Sequence, residues 1–194
     1  MGLRERKKAD TRHTLMFEAL RLFKERGYDH VSVEDIAAAA DVSPRTFFRY
    51  CPTKAQVVFA WNELRLAQLD RMLAERDGGA ETVIETVRRF WESFEDVRLE
   101  PELFLVQQEL AQEREAVAAV RYAVFEQVRA RIHAALIEED PARDSLEADI
   151  LASASVSTVL SVLRAWVRAG EGDPYAHLDR AWPYVERIAA PLYP

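Results

Sequence analysis

The chain has little of what marks several large classes of protein. Its 194 residues include one cysteine, Cys51, and six glycines. A single cysteine excludes an intrachain disulfide framework. The N-terminus has no apolar signal-peptide segment, and polar residues interrupt the longest apolar stretch, Ile150–Val167. These absences predict a cytoplasmic protein that has no membrane-spanning segment.

The sequence also lacks the short motifs of common catalytic and metal sites. Its four histidines, at positions 13, 30, 133 and 177, form no metal-ligand spacing. It contains no glycine-rich phosphate loop, no dinucleotide-binding fingerprint and no G-x-S-x-G motif. We therefore expect a protein that is not an enzyme and that has no metal site and no cofactor. For Cys51, a redox switch and a small buried apolar side chain are both open interpretations.

Charge is distributed unevenly along the chain. Residues 1–54 contain 11 basic and 8 acidic residues, a net charge of +3, whereas residues 55–194 contain 15 and 25, a net charge of −10. All four lysines lie in the first part. This asymmetry favours an N-terminal module that contacts phosphate and an acidic body that does not, although +3 over 54 residues is also ordinary.

Apolar residues recur at helical spacing through most of the chain, and no segment alternates with a period of two. The first helix ends at Gly27 and has an apolar face made of Leu15, Ala19, Leu22 and Phe23. The pattern predicts an all-α fold of about nine helices, and long consecutive helices after the third favour a bundle. The longer helices are predicted over residues 54–76, 81–96, 114–138 and 145–169, the first of them ending at Gly78-Gly79.

Two short helices in the N-terminal part carry their own start signals. Ser32 is placed to cap the first of them, with Asp35 three residues later, as in a capping box. Ser43 is placed to cap the second, and Pro44 suits its first position, where no N–H is needed. Two capped helices a few residues apart predict a helix-turn-helix, whose second helix enters the major groove of DNA.

Two sequence patterns between about residues 10 and 60 carry a family resemblance. One is Leu22-Phe23-x-x-x-Gly27-Tyr28 followed by Val33-x-Asp35-Ile36-Ala37-x-x-Ala40-x-Val42-Ser43. The other is Thr46-Phe47-Phe48-Arg49-Tyr50 followed by Lys54. On these residues the chain resembles the TetR family of transcriptional regulators, while the remaining residues match the family only in being helical and of suitable length.

The resemblance implies a three-helix DNA-binding domain over residues 1–54. Within it the first residues are basic and lack an apolar pattern, which predicts a flexible basic arm over residues 1–9. It implies a helical bundle over residues 55–194 that senses a ligand and forms the dimer. The expected function is that of a ligand-responsive regulator, taken as a repressor, which binds a two-half-site operator as a homodimer and is released by a small effector. The chain departs from the family pattern at Asp41, where members often have glycine, and at Cys51, where they tend to have an aromatic residue.

Eight residues are candidates for DNA contact: Ser32, Ser43, Arg45, Thr46, Phe48, Arg49, Tyr50 and Lys54. Arg45 is suited to a two-pronged contact with guanine. Lys54 resembles the family's phosphate-contacting lysine and begins a helix whose free N–H groups also attract an anion. By the same resemblance Phe48 stands where many members have a tyrosine that contacts the DNA backbone. Phe48 has no hydroxyl group, so we expect it to make apolar contact with a sugar or a thymine methyl group instead. A solvated Arg49 and a partly buried Phe48 are alternative interpretations.

Aromatic residues with a few polar neighbours in the body predict a site for an apolar or amphipathic effector. The candidates are Trp61, Trp91, Phe94, Phe104, Gln108, Tyr122 and Phe125. An aromatic stripe at helical spacing equally fits an ordinary hydrophobic core. Residues 145–190 combine aliphatic and small residues with Trp166 and Trp182, which favours a helix pair that meets a second copy of the chain. The alternative for this helix pair is a fully buried central helix. The alternative for the whole protein is a helical protein-interaction module that does not bind DNA.

Overall fold

The computed structural model describes residues 3–76, 81–94, 99–170 and 172–190, and the side chains from Lys7 onward. Those residues form ten α-helices, a short 3-10 helix at Tyr28–His30 and no β-strand, which confirms the all-α prediction. The α-helices are α1 (Leu3–Arg26), α2 (Val33–Ala39), α3 (Pro44–Tyr50), α4 (Lys54–Val57), α5 (Asn62–Glu75), α6 (Val83–Glu92), α7 (Pro101–Glu113), α8 (Glu115–Glu139), α9 (Ser145–Ala169) and α10 (Pro174–Ala189).

The chain divides into two compact units. The first comprises residues 1–65 with 100–123, and the second comprises residues 66–99 with 124–194. The division falls within α5 and within α8, so neither unit is a single stretch of sequence. The predicted stop at Gly78-Gly79 and the predicted helix end at Asp96 lie outside the described residues.

The basic N-terminal segment is helical from Leu3, whereas the sequence predicted a flexible arm over residues 1–9. No proline or glycine interrupts residues 3–26, and most of them favour helices. The Thr11 hydroxyl donates to the Lys7 carbonyl at 2.8 Å, and Ala9 is buried. Residues 3–9 are therefore the first turns of α1.

The predicted helix over residues 54–76 is two helices in the structure, α4 and α5. Between them the backbone follows a tighter i to i+3 pattern, with Ala60 N bonded to Val57 O at 3.2 Å and Asn62 N to Phe59 O at 3.1 Å. The carbonyl of Val58 is freed from the helical pattern and instead accepts from Gln107 Nε2 at 2.6 Å. A tertiary hydrogen bond thus satisfies the backbone at this break, which apolar periodicity does not reveal.

The hydrophobic core of the first unit draws together α1 to α4, α7 and the first turn of α8. Its fully buried side chains include Leu15, Leu20, Ile36, Phe47 and Val117. Leu110 and Ala111 of α7 belong to the same core. The three-helix module is thus stabilised by residues more than 50 positions further along the chain.

In the second unit α9 and α10 pack along each other, and their tryptophans Trp166 and Trp182 are fully buried. Trp166 Nε1 donates to the Gly172 carbonyl at 3.0 Å, which holds the turn between the two helices. Helix α9 is the one described helix that is long and apolar enough to cross a membrane by length and composition alone. A core helix has the same composition, and one face of α9 is buried within this unit.

The turn between α2 and α3 contains a residue in the left-handed conformation. Asp41 has φ of 52°, the one positive φ outside glycine among the described residues. Its backbone N–H donates to Ala38 O at 3.2 Å, and the next N–H, of Val42, donates to Ala37 O at 2.9 Å. Aspartate tolerates this conformation better than most residues other than glycine, so the turn forms without the glycine that members of the family often have.

We expect Asp41→Ala to lower the free energy of unfolding by about 1 kcal/mol, because a Cβ without a local hydrogen-bonding group is disfavoured at positive φ. Asp41→Gly should be more stable than Asp41→Ala, since glycine adopts this conformation without steric cost. Urea unfolding of both variants measures the difference. Both variants lose the same charge, so equal stabilities would contradict a steric role for this turn.

Candidate nucleic-acid interface

The start of α2 is closed by a reciprocal cap. Ser32 Oγ accepts from Asp35 N at 3.0 Å, and Asp35 Oδ2 accepts from Ser32 N at 2.8 Å. The Ser32 hydroxyl also donates to the same carboxylate. These bonds lower the pKa of the Asp35 carboxyl. The Ser32 side chain is committed to the cap, so contact with phosphate would require it to exchange a partner.

The start of α3 is capped in a similar way by Ser43, as the sequence predicted. Ser43 Oγ accepts from Thr46 N at 3.1 Å and lies 3.0 Å from Thr46 Oγ1. Pro44 occupies the first turn, where its missing N–H leaves no bond unmade. The cap fixes the beginning of α3 relative to the turn at Asp41, and both hydroxyls remain close to the surface.

Helix α3 separates its side chains into a buried and an exposed face. Phe47 is fully buried, and its ring meets that of Phe48 edge-on at 5.5 Å between centroids. Phe48 is 50% exposed, and Arg45 and Arg49 are exposed as well. An apolar anchor on one side and two arginines with a phenyl ring on the other form a surface that can meet base edges and sugars.

Tyr50, the last residue of α3, lies between two arginines. The guanidinium of Arg49 is 4.9 Å from the ring centroid, and that of Arg12 in α1 is 5.4 Å from it. Arg12 also forms an ion pair with Glu63 of α5 at 2.7 Å. Cation–π contacts on a half-buried ring restrain Tyr50. Sequence reasoning missed Arg12 and Glu63, because nothing local relates either of them to α3.

Lys54 already has partners within the first unit. Its ammonium donates to the carbonyls of Tyr28 at 2.9 Å and Val31 at 3.0 Å, and lies 4.2 Å from the centroid of the Tyr28 ring. Burial raises the pKa of the Tyr28 hydroxyl. Two of the three ammonium donors therefore join α4 to the segment before α2. A phosphate contact by Lys54 would have to use the third N–H, since the other two are bonded to carbonyls.

We expect Lys54→Met to lower the free energy of unfolding by about 1.5–3 kcal/mol, because two hydrogen bonds from a charged donor are lost. If the third N–H binds phosphate, the slope of log affinity against log salt should also fall by about one unit. Urea unfolding and salt titrations with operator DNA measure these two effects.

The matched control is Lys24→Met, which removes an ammonium paired with Glu102 on the surface of the same unit. An exposed pair of this kind contributes about 0–1 kcal/mol. Equal losses of stability in the two variants would show that the carbonyl contacts of Lys54 contribute no more to the free energy of unfolding than an exposed ion pair.

Cys51 is fully buried directly after α3. Burial raises the pKa of its thiol to about 12, so the reactive thiolate is scarcely populated at neutral pH. The small side chain lies among the residues of the first unit's core, where the family resemblance leads one to expect an aromatic ring. Of the two interpretations of Cys51, the geometry supports the buried apolar side chain.

The predicted effector residues lie in different units and environments. In the first unit Phe104 and Gln108 are buried, Trp61 is half-buried beside His13 and Phe17, and Tyr122 is 69% exposed. In the second unit, the remaining three form an aromatic cluster, in which Trp91 and Phe125 stack at 5.8 Å and Trp91 and Phe94 meet edge-on at 5.6 Å.

Sequence reasoning also missed a groove of about 480 Å³ in the second unit. Arg131 crosses it to form an ion pair with Asp70 at 2.7 Å. Its other lining residues are Leu73, Ala74, Arg76, Ala134, Ala135 and Glu138. Both acidic and basic side chains line the groove. None of the aromatic residues that the sequence analysis proposed for the effector lines it.

Helices α9 and α10 expose large apolar side chains within the second unit. Leu146 and Ile150 of α9 are 66% and 51% exposed, and Tyr184 and Ile188 of α10 are 60% and 48% exposed. We refer to these four residues as the apolar face. On each helix the two residues lie one turn apart, and contiguous exposed apolar patches are typical of surfaces that meet another protein chain.

Comparison with known proteins identifies relatives of the N-terminal module. Residues 15–61 match the model of bacterial regulatory proteins of the tetR family. The chain is 48% identical over 73 residues to the HTH-type transcriptional regulator TcmR of Streptomyces glaucescens, a match that covers 36% of this chain and 32% of that protein. The matched part is thus about a third of the length of this curated relative.

Solved structures resemble the fold over most of the chain. A TetR-family regulator from Syntrophomonas wolfei has a TM-score of 0.66 at 18% identity, covering 94% of this chain and 96% of that one. The TetR-family repressor FadR of Thermus thermophilus, solved with lauroyl-CoA, has a TM-score of 0.60 at 21% identity, covering 90% and 93%. At 18% and 21% identity, the similarity to these two structures shows the fold alone.

Proposed function

We propose that this chain, which has the N-terminal module and the fold of the TetR family, is a DNA-binding transcriptional regulator. It acts as a repressor in the cytoplasm, through binding and without a catalytic step. The observation that carries the proposal is the division of α3, with Phe47 buried and Arg45, Phe48 and Arg49 exposed beside a capped turn. That division is the one a recognition helix needs in order to lie in the major groove.

In this proposal Arg45 reads a base edge, Thr46 and Phe48 contact bases or sugars, and Arg49, Tyr50 and Lys54 contact the phosphate backbone. Arg45 and Arg49 present planar guanidinium groups, which suit guanine and phosphate respectively. Ser32 and Ser43 act mainly through their caps, which hold α2 and α3 in place. The positive net charge of residues 1–54 supplies attraction that does not depend on base sequence.

The proposed assembly is a homodimer formed through residues 145–190. The apolar face on α9 and α10 supports it, because burying these four side chains against a second copy would remove a large apolar area from water. A twofold axis then presents two copies of α3 to two operator half-sites about one DNA turn apart, ~34–36 Å.

The proposed effector is a small apolar or amphipathic molecule. Aromatic residues in both units, and the lauroyl-CoA bound to the similarly folded Thermus thermophilus repressor, support this class. Such a molecule releases the operator only if it binds the non-binding conformation more tightly than the DNA-binding one.

A fluorescence anisotropy titration with labelled DNA from upstream of the protein's own gene tests this function. We expect sequence-specific, salt-dependent binding of two chains per operator. Shuffled DNA of the same composition is the control. Affinities that are equal for both DNAs, or that do not change with salt, would favour the helical protein-interaction module instead.

A further inference from the structure

Two consecutive glutamines of α7 form a buried chain of hydrogen bonds in the first unit. Gln107 and Gln108 are 5% and 4% exposed. Gln107 Nε2 donates to the Val58 carbonyl at 2.6 Å, and Gln108 Nε2 donates to Gln107 Oε1 at 3.2 Å. We refer to the Val58 carbonyl and these two side chains as the amide relay.

The direction of the amide relay is set by chemistry. A backbone carbonyl only accepts hydrogen bonds, so Gln107 must direct its NH₂ group at Val58 and its oxygen at Gln108. Gln108 must then direct its own NH₂ group at that oxygen. Reversing either side-chain amide would bring two oxygens together. The free end of the relay is therefore always an acceptor, Gln108 Oε1.

That acceptor is buried and has no hydrogen-bond partner among the described residues. Buried polar atoms are nearly always hydrogen-bonded, because an unpaired buried atom loses its hydrogen bonds to water and gains none in exchange. On the buried side of α7, Gln108 has Phe104 one turn before it and Ala111 one turn after it, and both residues are apolar and buried. The Arg65 guanidinium lies 5.4 Å from the centroid of the Phe104 ring.

We propose that Gln108 Oε1 is the anchor for the effector and accepts a hydrogen bond from a neutral hydroxyl group, so that the effector is an alcohol or phenol with an apolar body. The proposal rests on the regulatory function proposed above and specifies its ligand. An ether or ester of the same shape offers only acceptors, and its lone pairs would face those of Gln108. A carboxylate would add the repulsion of a buried negative charge.

The amide relay also connects this anchor to the break between α4 and α5. Its far end is the Val58 carbonyl, which the break frees from the helical pattern. A donor bound at Gln108 polarises that amide and strengthens the bonds behind it. Occupancy of the anchor thus favours the geometry in which Gln107 holds Val58, and that position directly follows the DNA-contacting residues.

Two matched probe pairs test the anchor with the full-length protein in the absence of DNA. They are decan-1-ol with decyl methyl ether, and phenol with anisole. We expect the hydroxyl member of at least one pair to bind about tenfold more tightly than its ether, as measured by tryptophan fluorescence and calorimetry. In Gln108→Leu the two members should bind equally, through loss of affinity for the hydroxyl compound.

Gln112→Leu is the control variant, since Gln112 is exposed one turn further along the same helix, and it should keep the wild-type preference. Equal affinities within both pairs in the wild-type protein, or no binding of any of the four compounds, would overturn the proposal without reference to any variant. A hydroxyl preference that persists in folded Gln108→Leu would place the donor's partner elsewhere and would also overturn it. These titrations contain no DNA, so their outcome does not depend on whether the protein binds an operator. The anchor and the proposed DNA-binding function can therefore fail independently.

Discussion

Replacing Phe47 with alanine is expected to lower the free energy of unfolding by about 3–5 kcal/mol and to abolish operator binding. Phe47 is fully buried in the core shared by α1 to α4, so its removal leaves a cavity beneath the recognition helix. Urea unfolding followed by circular dichroism measures the loss of stability, and anisotropy with operator DNA measures binding.

Phe48→Ala is the matched control, because it removes the same side chain one residue further along α3. Phe48 is 50% exposed, so this variant should lose less than about 1 kcal/mol of stability. We expect its operator affinity to fall nonetheless, through loss of apolar contact with sugar or a thymine methyl group. If both variants lost equal stability, the division of α3 into a buried and an exposed face would be refuted.

Replacing Arg45 with alanine should weaken operator binding by about 1–3 kcal/mol, roughly 5- to 150-fold, and relax the preference at one base position in each half-site. The expected cause is the loss of a bidentate contact with guanine by an exposed side chain in the first turn of α3. Competition with operators substituted one base pair at a time measures both effects.

Two variants separate base reading from general attraction by charge. Arg71→Ala removes the same charge from an exposed position on α5, and should change affinity little for every DNA sequence. Arg45→Lys keeps the charge but not the two-pronged geometry, and should lose most of the discrimination at the affected base. A uniform loss over all operators in Arg45→Ala would assign Arg45 to phosphate and not to a base.

The helix boundaries show what local sequence reveals about this protein. Ser32 and Ser43 were each predicted to begin a helix, and each caps one with its side chain. Helix α9 has its predicted bounds, with an aspartate cap before Ser145 and Gly170 in the left-handed conformation after Ala169. Caps and stops involve residues within one turn of each other, so a linear sequence contains them.

Contacts between residues that are distant in the sequence could not be predicted in this way. Lys54 was assigned to phosphate alone, yet its ammonium holds carbonyls 23 and 26 positions earlier in the chain. The predicted helix over residues 54–76 is broken near Val58. The carbonyl freed there accepts a hydrogen bond from Gln107, which lies 49 positions after Val58. No periodicity or motif indicates such a pairing, because each partner alone looks like an ordinary polar residue on a helix.

From sequence alone came the helical class and the two capped helices, since both depend on spacing within a few residues. Only the tertiary structure decided which polar groups satisfy one another, including Lys54 with the segment before α2, Arg12 with Glu63 and the amide relay with Val58. The physical reason is that a buried polar atom must find a partner wherever the packed chain supplies one. That choice depends on the three-dimensional arrangement of the whole unit and not on any short stretch of residues.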